Sequence, residues 1–393
     1  MKFIQPVEVT AEYKITTPMF LGGAFPAEGI DAQQFRNAPL KGALRFWWRA
    51  LNWGRVLKAA NGNEAEALKA LHRREGEIFG RASDGKDSVQ SRVQLSSKLE
   101  GCRQQPAGPG LASLGYLLGQ GLYHFNQGLL RPHLSGGSLQ VAARFKPGTA
   151  AADIDSVKEA LIALGLFGGL GSRARKGLGS LAIQHIGQKA EAPYRFSSLE
   201  QVEQFIAGLD FSAPGNTPLS ALSNQSRIDC LSSGSNAMAL LAEIGNEMQL
   251  YRSYGRNGMV GRQEARRNFV PDHDNALKAA NGERIAELPK RGVFGLPHNY
   301  YFSSSRASLG IAPKDSNRSR RASPLLIHIH EFPDGQCMAV QTLLPGRFLP
   351  KNTEVELRGN RRSNTLTDPA VDYDVIHRYL DGFKNHKVLR HGK

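Results

Sequence analysis

A glycine-rich run between a predicted helix and a predicted strand is the feature that most restricts the fold of this chain. The run, residues 169–179, reads Gly-Leu-Gly-Ser-Arg-Ala-Arg-Lys-Gly-Leu-Gly. The helix precedes the run and the strand follows it, which is the reverse of the order in a Rossmann dinucleotide site. The run also lacks the Gly-Lys-Ser/Thr ending of a Walker A loop. The sequence therefore excludes both kinds of nucleotide-binding turn.

Hydrophobic periodicity places the run within an α+β arrangement of antiparallel sheets. Strands are predicted over residues 7–17, 88–95, 137–145 and 178–186, and helices over 39–58 and 153–166. The order strand, helix, strands, helix, strand is typical of a ferredoxin-like or RRM-like sheet with helices on one face. The first domain is expected to cover residues 1–190.

A second sheet-containing domain is predicted over residues 236–393. It follows a connector at 191–235 that is rich in Ser, Pro, Asn and Gly and has a short predicted helix at 199–207. Residues 236–251 have helical spacing, and 323–344 contain two apolar strands joined by turn residues. A chain of 393 residues is long enough for two such cores. No strong sequence repeat relates the two halves, so we expect a second ferredoxin-like domain on other grounds, given below.

The charge balance indicates what the protein binds. The chain has 50 Lys and Arg against 35 Asp and Glu, a formal charge of +15, which predicts a polyanionic partner. Nucleic acid is favoured over anionic lipid because no amphipathic anchor or lipidation motif is visible, and no membrane contact is expected. Without a signal peptide, the chain is expected to be cytoplasmic. Three scattered cysteines exclude a disulfide scaffold, and neither a metal nor a cofactor is expected.

The glycine-rich run combines flexibility with positive charge. Glycines permit close approach of a phosphate backbone, and the cations between them neutralise its charge. The run therefore predicts contact with a strand of nucleic acid; the alternative is a flexible connector with solvated charges. The predicted contact residues are Gly169, Gly171, Arg173, Arg175, Lys176, Gly177 and Gly179.

The first predicted helix carries a basic stripe at four-residue spacing, formed by Lys41, Arg45 and Arg49. The sequence between residues 36 and 55 contains no acidic partner, so contact with RNA phosphates is favoured over a solvated helix face. Trp47 and Trp48 are suited to base stacking, but their place on the apolar face makes core packing the stronger expectation.

His328 and His330 lie two residues apart in a predicted strand and therefore share a face. That spacing suits a pair of metal ligands or a general base. Glu331 would point to the opposite face, and no third ligand has recognisable spacing. Packed or hydrogen-bonded sheet histidines are the favoured interpretation.

Several segments are similar to one known protein family. The glycine-rich run has the signature of the RAMP proteins of CRISPR systems: Gly-apolar-Gly, five residues with basic members, then Gly-x-Gly. Other segments resemble, more narrowly, the first Cmr subunit of the type III-B effector complex. These segments are 15–24, Arg36, 41–50, 77–80, 321–325, 344–345 and 348–350. The middle of the chain, from about residue 190 to 290, matches poorly.

The resemblance implies two ferredoxin-like folds and a non-catalytic subunit of a ribonucleoprotein filament used in antiviral RNA silencing. It implies contact with the 3′ end region of the CRISPR RNA, the target RNA paired with it, and other Cmr subunits. Cutting of target RNA is attributed in this family to a different subunit. Two alternatives stay open at this point. One is a metal-independent endoribonuclease of the CRISPR RNA-processing type, with His328 or His330 as base, and the other is a basic scaffold that binds only proteins.

Arginine clusters outside the glycine-rich run are further candidates for forked phosphate contacts. Arg320 and Arg321 are the favoured pair because they adjoin a family-like segment. The remaining arginines of these clusters are Arg252, Arg256, Arg262, Arg266, Arg267, Arg318, Arg358, Arg361 and Arg362.

Overall fold

The protein folds into two related sheets with a third sheet beside them. The structure, a computed structural model, describes residues 6–22, 35–82, 87–188, 192–254, 258–315, 320–360 and 362–392. Gly23, Ala24, Arg256, Arg318, Arg361 and the predicted domain boundary at residue 190 lie outside these ranges. Among the residues described, no helix combines the length and hydropathy needed to cross a bilayer.

The first fold is built around an antiparallel sheet with the strand order β2-β7-β1-β8-β9. Its elements are β1 (Glu8–Ile15), α1 (Asn37–Ala59), α2 (Glu64–Phe79), β2 (Val93–Glu100), β3 (Arg103–Gln105), α3 (Gly115–Leu118), β4 (Tyr123–His124), β5 (Gly128–Leu129), β6 (His133–Ser135), β7 (Ser138–Phe145), α4 (Ala151–Phe167), β8 (Leu181–Gln188) and β9 (Tyr194–Arg195). The predicted alternation of β1 is confirmed, because Val9, Ala11, Tyr13 and Ile15 are all buried.

The second fold repeats the arrangement of the first. After α5 (Leu199–Ala207) come β10 (Arg227–Gly234), α6 (Ala237–Arg252), β11 (Met259–Val260), β12 (Gln263–Glu264), α7 (Val270–Ala280), β13 (His298–Phe302), β14 (Ala307–Pro313), β15 (Leu325–Glu331), β16 (Cys337–Leu343), β17 (Glu354–Gly359), β18 (Ser363–Thr367), α8 (Asp374–Asp381) and β19 (His386–His391). Its main sheet has the order β15-β16-β10-β19.

The two main sheets are both ferredoxin-like. In the first fold the elements β1, α1, β2, β7, α4 and β8 follow the β-α-β-β-α-β order, and in the second β10, α6, β15, β16, α8 and β19 do so. In each sheet the first strand lies between the third and the fourth. The α+β fold class predicted from the sequence is therefore correct.

A third sheet has no counterpart in the sequence prediction. Strands β13, β14, β17 and β18 form it in that order, with α7 packed on one side. Two insertions in the second fold supply these strands, one between α6 and β15 and one between β16 and α8. This sheet has its own small core, which includes Leu309, Ile311 and Val355.

Helix α4 lies between the two main sheets. It contacts β1 and β8 on one side and β15 and β16 on the other, so it is apolar on nearly all sides. On β15, Leu326 joins the core shared with the first fold, whereas Leu325 and Ile327 join the core beneath α6. Strands buried on both faces form near-continuous apolar runs, as the predicted hairpin at 323–344 does. The two folds therefore share a large buried boundary.

Most predicted elements are found, with three differences. The helices at 39–58, 153–166 and 236–251 and the hairpin are confirmed. Of the strand predicted at 88–95, only residues 93–95 belong to β2, so its start was wrong. Helix α2 was not predicted. Residues 227–234, expected in the connector, form β10, so the second fold begins before residue 236.

Candidate nucleic-acid interface

The glycine-rich run lies where the two folds meet. Lys176 pairs with Ile327 of β15 in a parallel bridge, and Ile327 N donates to Arg175 O at 3.1 Å. Beyond it, Ile329 N donates to Ser180 Oγ at 3.1 Å. We call this boundary, residues 175–180 together with 327–329, the seam. The run therefore joins two folds in addition to connecting α4 to β8.

The glycines of the run are packed against protein atoms. Gly177 has a φ of +79°, and a Cβ there would lie 2.6 Å from Leu241 Cδ1 and 3.1 Å from Ile327 Cγ2. A Cβ on Gly169, Gly171 or Gly179 would lie 2.0–2.6 Å from a backbone oxygen. Close packing thus explains why glycine occurs at these positions. The approach of these glycines to an RNA backbone stays a prediction.

Two cations of the run face an open cleft. Arg173 is exposed, and its Nη2 donates to Gln120 O at 3.0 Å. Lys176 is half-buried, with its Nζ 3.5 Å from Met248 Sδ. Neither side chain has a carboxylate partner among the residues that the structure describes. Their charges are therefore not compensated by the described part of the protein.

The third cation of the run is held more tightly. Arg175 lies over the ring of Phe46 on α1, with Cζ 4.8 Å from the ring centroid. Its Nη1 donates to Ser323 O at 2.7 Å, across the seam. Arg175 thus connects α1, the glycine-rich run and the second fold, and it also lines the cleft.

The cleft has a volume of about 1070 Å³ and receives residues from both folds. Its walls are the glycine-rich run, the loop before β4, the end of α6, and the segments that precede β13 and β15. We call it the cationic cleft. Seven basic side chains line it: Arg173, Arg175, Lys176, Arg252, Arg291, Arg320 and Arg321. No Asp or Glu occurs among the described residues of its lining.

Burial, and after it the closeness of like charges, lowers the pKa values of the cations in the cationic cleft. Burial and the neighbouring Arg321 lower the pKa of Arg175 to about 10. Burial and Arg320 lower the pKa of Arg173. For Lys176, burial first and then neighbouring arginines lower the pKa to about 7. An anion placed among these groups would relieve their mutual repulsion, so the cleft is suited to phosphate.

Comparison with known proteins finds a family resemblance in the N-terminal part. The sequence profile of the RAMP superfamily matches residues 12–182, which include the whole glycine-rich run. These residues are therefore similar to the RAMP superfamily, and we call them the RAMP region. This RAMP region ends in β8, two residues after the seam. No curated protein sequence matches the chain.

Solved structures resemble the chain over almost its full length. The crystal structure of apo Cmr1 from Pyrococcus furiosus aligns with a TM-score of 0.55 at 18% identity, covering 98% of this chain and 99% of that one. A cryo-EM structure of the type III-B Cmr-beta complex bound to cognate target RNA contains a chain that aligns with a TM-score of 0.50 at 12% identity, covering 96% and 98%. At these identities the likeness establishes the fold, and it extends beyond the RAMP region through the second fold.

The basic stripe of α1 in the RAMP region faces helix α2. Arg45 Nε and Arg49 Nη1 lie 2.5 and 2.7 Å from the same oxygen, Oε1 of Glu75, whose carboxylate is buried. The acidic partner that α1 lacks in sequence is therefore supplied by α2. Lys41, at the start of the stripe, has no ionic partner among the described residues, and burial lowers its pKa. None of the three lines the cationic cleft, so their contact with RNA stays a prediction.

The paired tryptophans of α1 belong to the core, as expected. Trp47 is 2% exposed and packs near Phe167, with ring centroids 5.7 Å apart. Trp48 is fully buried, and its Nε1 donates to Ser156 Oγ at 2.9 Å. Core packing of both side chains is thus confirmed, and neither ring is accessible to a base.

The two histidines of β15 hold the end of α4. Both are fully buried; the Nδ1 of His328 lies 2.7 Å from Gly168 O, and that of His330 lies 3.3 Å from Gly165 O. Gly165 lies in the last turn of α4 and Gly168 is its C-cap, where backbone carbonyls have no intrahelical donor. Burial lowers the pKa values to about 4 and about 3, so both rings are neutral at pH 7 and act as donors. The interpretation as hydrogen-bonded sheet histidines is confirmed.

The sequence missed one member of the cationic cleft, Arg291, and named another, Arg252, only among the less favoured arginine clusters. Arg252 ends α6, and its guanidinium lies over Phe294, 4.5 Å from the ring centroid. Arg291 is nearly buried and donates from Nη1 to Arg252 O at 2.9 Å. Arg252 stood in an arginine-rich segment, which gave a weak signal, whereas nothing in the sequence pointed to Arg291. The described residues also contain no cluster of side chains able to hold a metal ion.

Proposed function

We propose that this protein is an RNA-binding subunit of a type III-B CRISPR Cmr complex and that the cationic cleft holds RNA by its sugar-phosphate backbone. The observation that carries the proposal is the convergence of seven basic side chains from both folds on one cleft whose described lining contains no carboxylate. In this proposal the RNA is the 3′ end region of the CRISPR RNA with the target RNA paired to it.

The cleft chemistry suits the sugar-phosphate backbone. Six of the seven cations can approach phosphates from both walls, and arginine forks match phosphate oxygens. The exception is Arg291, which is buried beside Asp272. Phosphate contacts position a strand and carry no sequence information. Sequence would be read by base pairing between guide and target, as in RNA-guided systems generally.

The fold supports the assignment to a Cmr complex. The whole chain, including the second fold, aligns with Cmr1 from Pyrococcus furiosus and with a chain of a type III-B Cmr-beta complex bound to cognate target RNA. The proposed partners are therefore CRISPR RNA, target RNA and other Cmr subunits.

A non-catalytic role is part of the proposal. The alternative, a metal-independent endoribonuclease, needs a histidine that reaches a ribose hydroxyl. His328 and His330 are both 0% exposed, and their Nδ1 atoms are engaged by α4 carbonyls. A general base must lie within hydrogen-bond reach of the proton that it removes, and these buried rings are not accessible to an RNA substrate. Their burial favours the structural role over the catalytic one.

A double variant at the mouth of the cleft tests the proposal. Arg173 and Arg320 are exposed, and neither is paired with a carboxylate among the described residues, so Arg173→Ala/Arg320→Ala should leave the fold intact. We expect single-stranded RNA to bind about tenfold more weakly, because each of the two exposed ion pairs with phosphate contributes about 0.7 kcal/mol. The slope of log affinity against log salt should fall by about 1.4, since each phosphate contact contributes about 0.7. Fluorescence anisotropy across a salt series measures both.

The matched control removes the same charge elsewhere. Lys69 and Arg73 are exposed on α2 and do not line the cleft. Lys69→Ala/Arg73→Ala should therefore keep the affinity and the salt slope of the wild type, apart from a small long-range effect of net charge. Equal losses in the two double variants, or no loss in either, would contradict an RNA site in the cleft.

A further inference from the structure

The third sheet presents an exposed face that carries one prominent aromatic side chain. In β13, Tyr300 and Phe302 are buried against the small core of this sheet, whereas Asn299 and Tyr301 point to the other face. Tyr301 is 71% exposed, although it lies within a paired strand. An exposed tyrosine ring offers an aromatic face on which a planar ligand can stack.

This face continues from the cationic cleft. Asn299 lines the cleft, and Tyr301 follows it on the same strand and the same face. Residues two apart in a strand are separated by about 7 Å. Beyond Tyr301, the turn that leads to β14 contains Arg306, which is exposed and has no ionic partner among the described residues. The aromatic ring therefore lies between the basic cleft and a further cation.

The neighbours of Tyr301 on the sheet are small. Ser308 lies directly opposite it on β14, and Gly310 lies opposite Asn299. The Ser308 hydroxyl donates to Asn360 Oδ1 at 2.8 Å, so it is already engaged. No aromatic ring or cation is stacked on Tyr301 among the residues that the structure describes. One face of the ring is thus free for a planar ligand.

We infer that RNA leaving the cationic cleft continues over the third sheet and stacks a base on Tyr301. The inference rests on the proposed function and extends it, because it places part of the RNA site outside both ferredoxin-like folds. Antiparallel sheets with exposed aromatic rings stack unpaired bases in this way, and stacking tolerates any base. A nucleobase is favoured over an apolar protein segment because the cationic cleft lies at one end of β13 and Arg306 lies in the turn at its other end.

Binding of oligoadenylates of increasing length to the full chain tests the inference. Tyr301→Ala should weaken binding of long oligomers about fivefold or more, because stacking contributes about 1–3 kcal/mol per base. The salt slope should stay unchanged, since no phosphate contact is removed. Tyr301→Phe should retain wild-type affinity. 2-Aminopurine placed near one end should be quenched by the wild type and by Tyr301→Phe but not by Tyr301→Ala.

Tyr194→Ala is the matched control. Tyr194 is 44% exposed on β9, at the edge of the first sheet, and does not line the cleft. Wild-type affinity of Tyr301→Ala at every length would overturn the inference, as would a loss accompanied by a changed salt slope. If Tyr301→Ala binds normally while Arg173→Ala/Arg320→Ala binds weakly, the stacking site is wrong and the cleft stands. If the latter variant also binds normally, the proposed function fails.

Discussion

Lys176 is the cation of the cleft whose charge depends most on its surroundings. Its Nζ lies 3.5 Å from Met248 Sδ, a weak acceptor, and has no carboxylate partner among the described residues. Burial, Arg252 and Arg173 each disfavour the protonated form and lower its pKa to about 7. A phosphate beside the ammonium would favour protonation and raise this pKa. We therefore expect Lys176 to be partly neutral in the free protein and to become charged when a phosphate binds beside it.

This linkage predicts RNA affinity that falls as pH rises. Below pH 7 Lys176 is already protonated, whereas above pH 7 binding must take up a proton, so affinity declines until the pKa of the complex is passed. Between pH 6.5 and 8.5 we expect a loss of about tenfold for one proton. Oligoadenylate suits the measurement, because its bases do not titrate in this range.

A neutral substitution identifies the group responsible. Lys176→Gln should bind more weakly than the wild type at pH 6.5, converge with it at pH 8.5, and show little pH dependence of its own. Among the described residues, His298 is the one histidine that lines the cleft. It does not account for the pH dependence, because burial, Arg252 and Arg291 hold its pKa well below its ordinary range. Affinity that is constant or that rises with pH in the wild type would contradict this account.

At the scale of elements, helices α1 and α2 depend on one buried carboxylate. Glu75 is 2% exposed and accepts hydrogen bonds from Arg45 and Arg49, which are themselves about one-third exposed. If this buried carboxylate lost its charge, both arginines would lack an anionic partner. The free energy of unfolding would then fall by more than on loss of a surface ion pair.

Glu75→Gln should therefore destabilise the first fold by about 1–3 kcal/mol. The chain has three tryptophans, all on α1, so tryptophan fluorescence during urea unfolding reports on this fold directly. Glu66→Gln, the same substitution at an exposed position of α2, should change stability by less than about 0.5 kcal/mol. A rise in RNA affinity in Glu75→Gln would favour the predicted RNA contact of Arg45 and Arg49. Stability equal to that of Glu66→Gln would show that the carboxylate does not hold the helices.

The sequence predicted elements with strong local signals and missed those that depend on distant pairing. Helix α1 and the hairpin of β15 and β16 have clear periodicity or turn chemistry. Helix α2 begins with a signal that was available: Asn63 Oδ1 accepts from Glu66 N, and acidic residues occupy the first turn. The third sheet had no such signal, because strands such as β14 and β17 come from separate insertions and pair through residues like Gly310 and Arg358.

At the scale of the whole molecule, the site exists only because the two folds meet. The sequence pointed to Arg173, Arg175 and Lys176 on one wall of the cleft and to Arg320 and Arg321 on the other, and the structure brings all five together. The sequence alone could not predict that convergence, because the walls are joined by hydrogen bonds between distant parts of the chain. The basic stripe of α1 was equally visible in the sequence, but two of its arginines pair with Glu75 of α2 and do not line the cleft.

The close contact at the seam gives a prediction that separates backbone strain from packing between the folds. Gly177 and Gly148 both have φ of +79°, but a Cβ at Gly148 would meet no atom within 4 Å, whereas one at Gly177 would press on Leu241 and Ile327. Gly148→Ala should lower the free energy of unfolding by about 1–2 kcal/mol, because a residue with a Cβ is strained in the left-handed conformation. Gly177→Ala should lower it by that amount plus about 1–3 kcal/mol, because its Cβ also overpacks the boundary between the folds.

Only the variant at the seam should also change RNA binding. Gly177 adjoins Lys176 and Arg175, so a displaced seam moves one wall of the cationic cleft relative to the other, while Gly148 precedes α4 and does not line the cleft. Urea unfolding measures the two stabilities, and anisotropy under conditions where both variants are folded measures the affinities. Equal destabilisation with unchanged RNA binding in both variants would mean that the seam does not position the cleft, and that each fold presents its cations independently of the other.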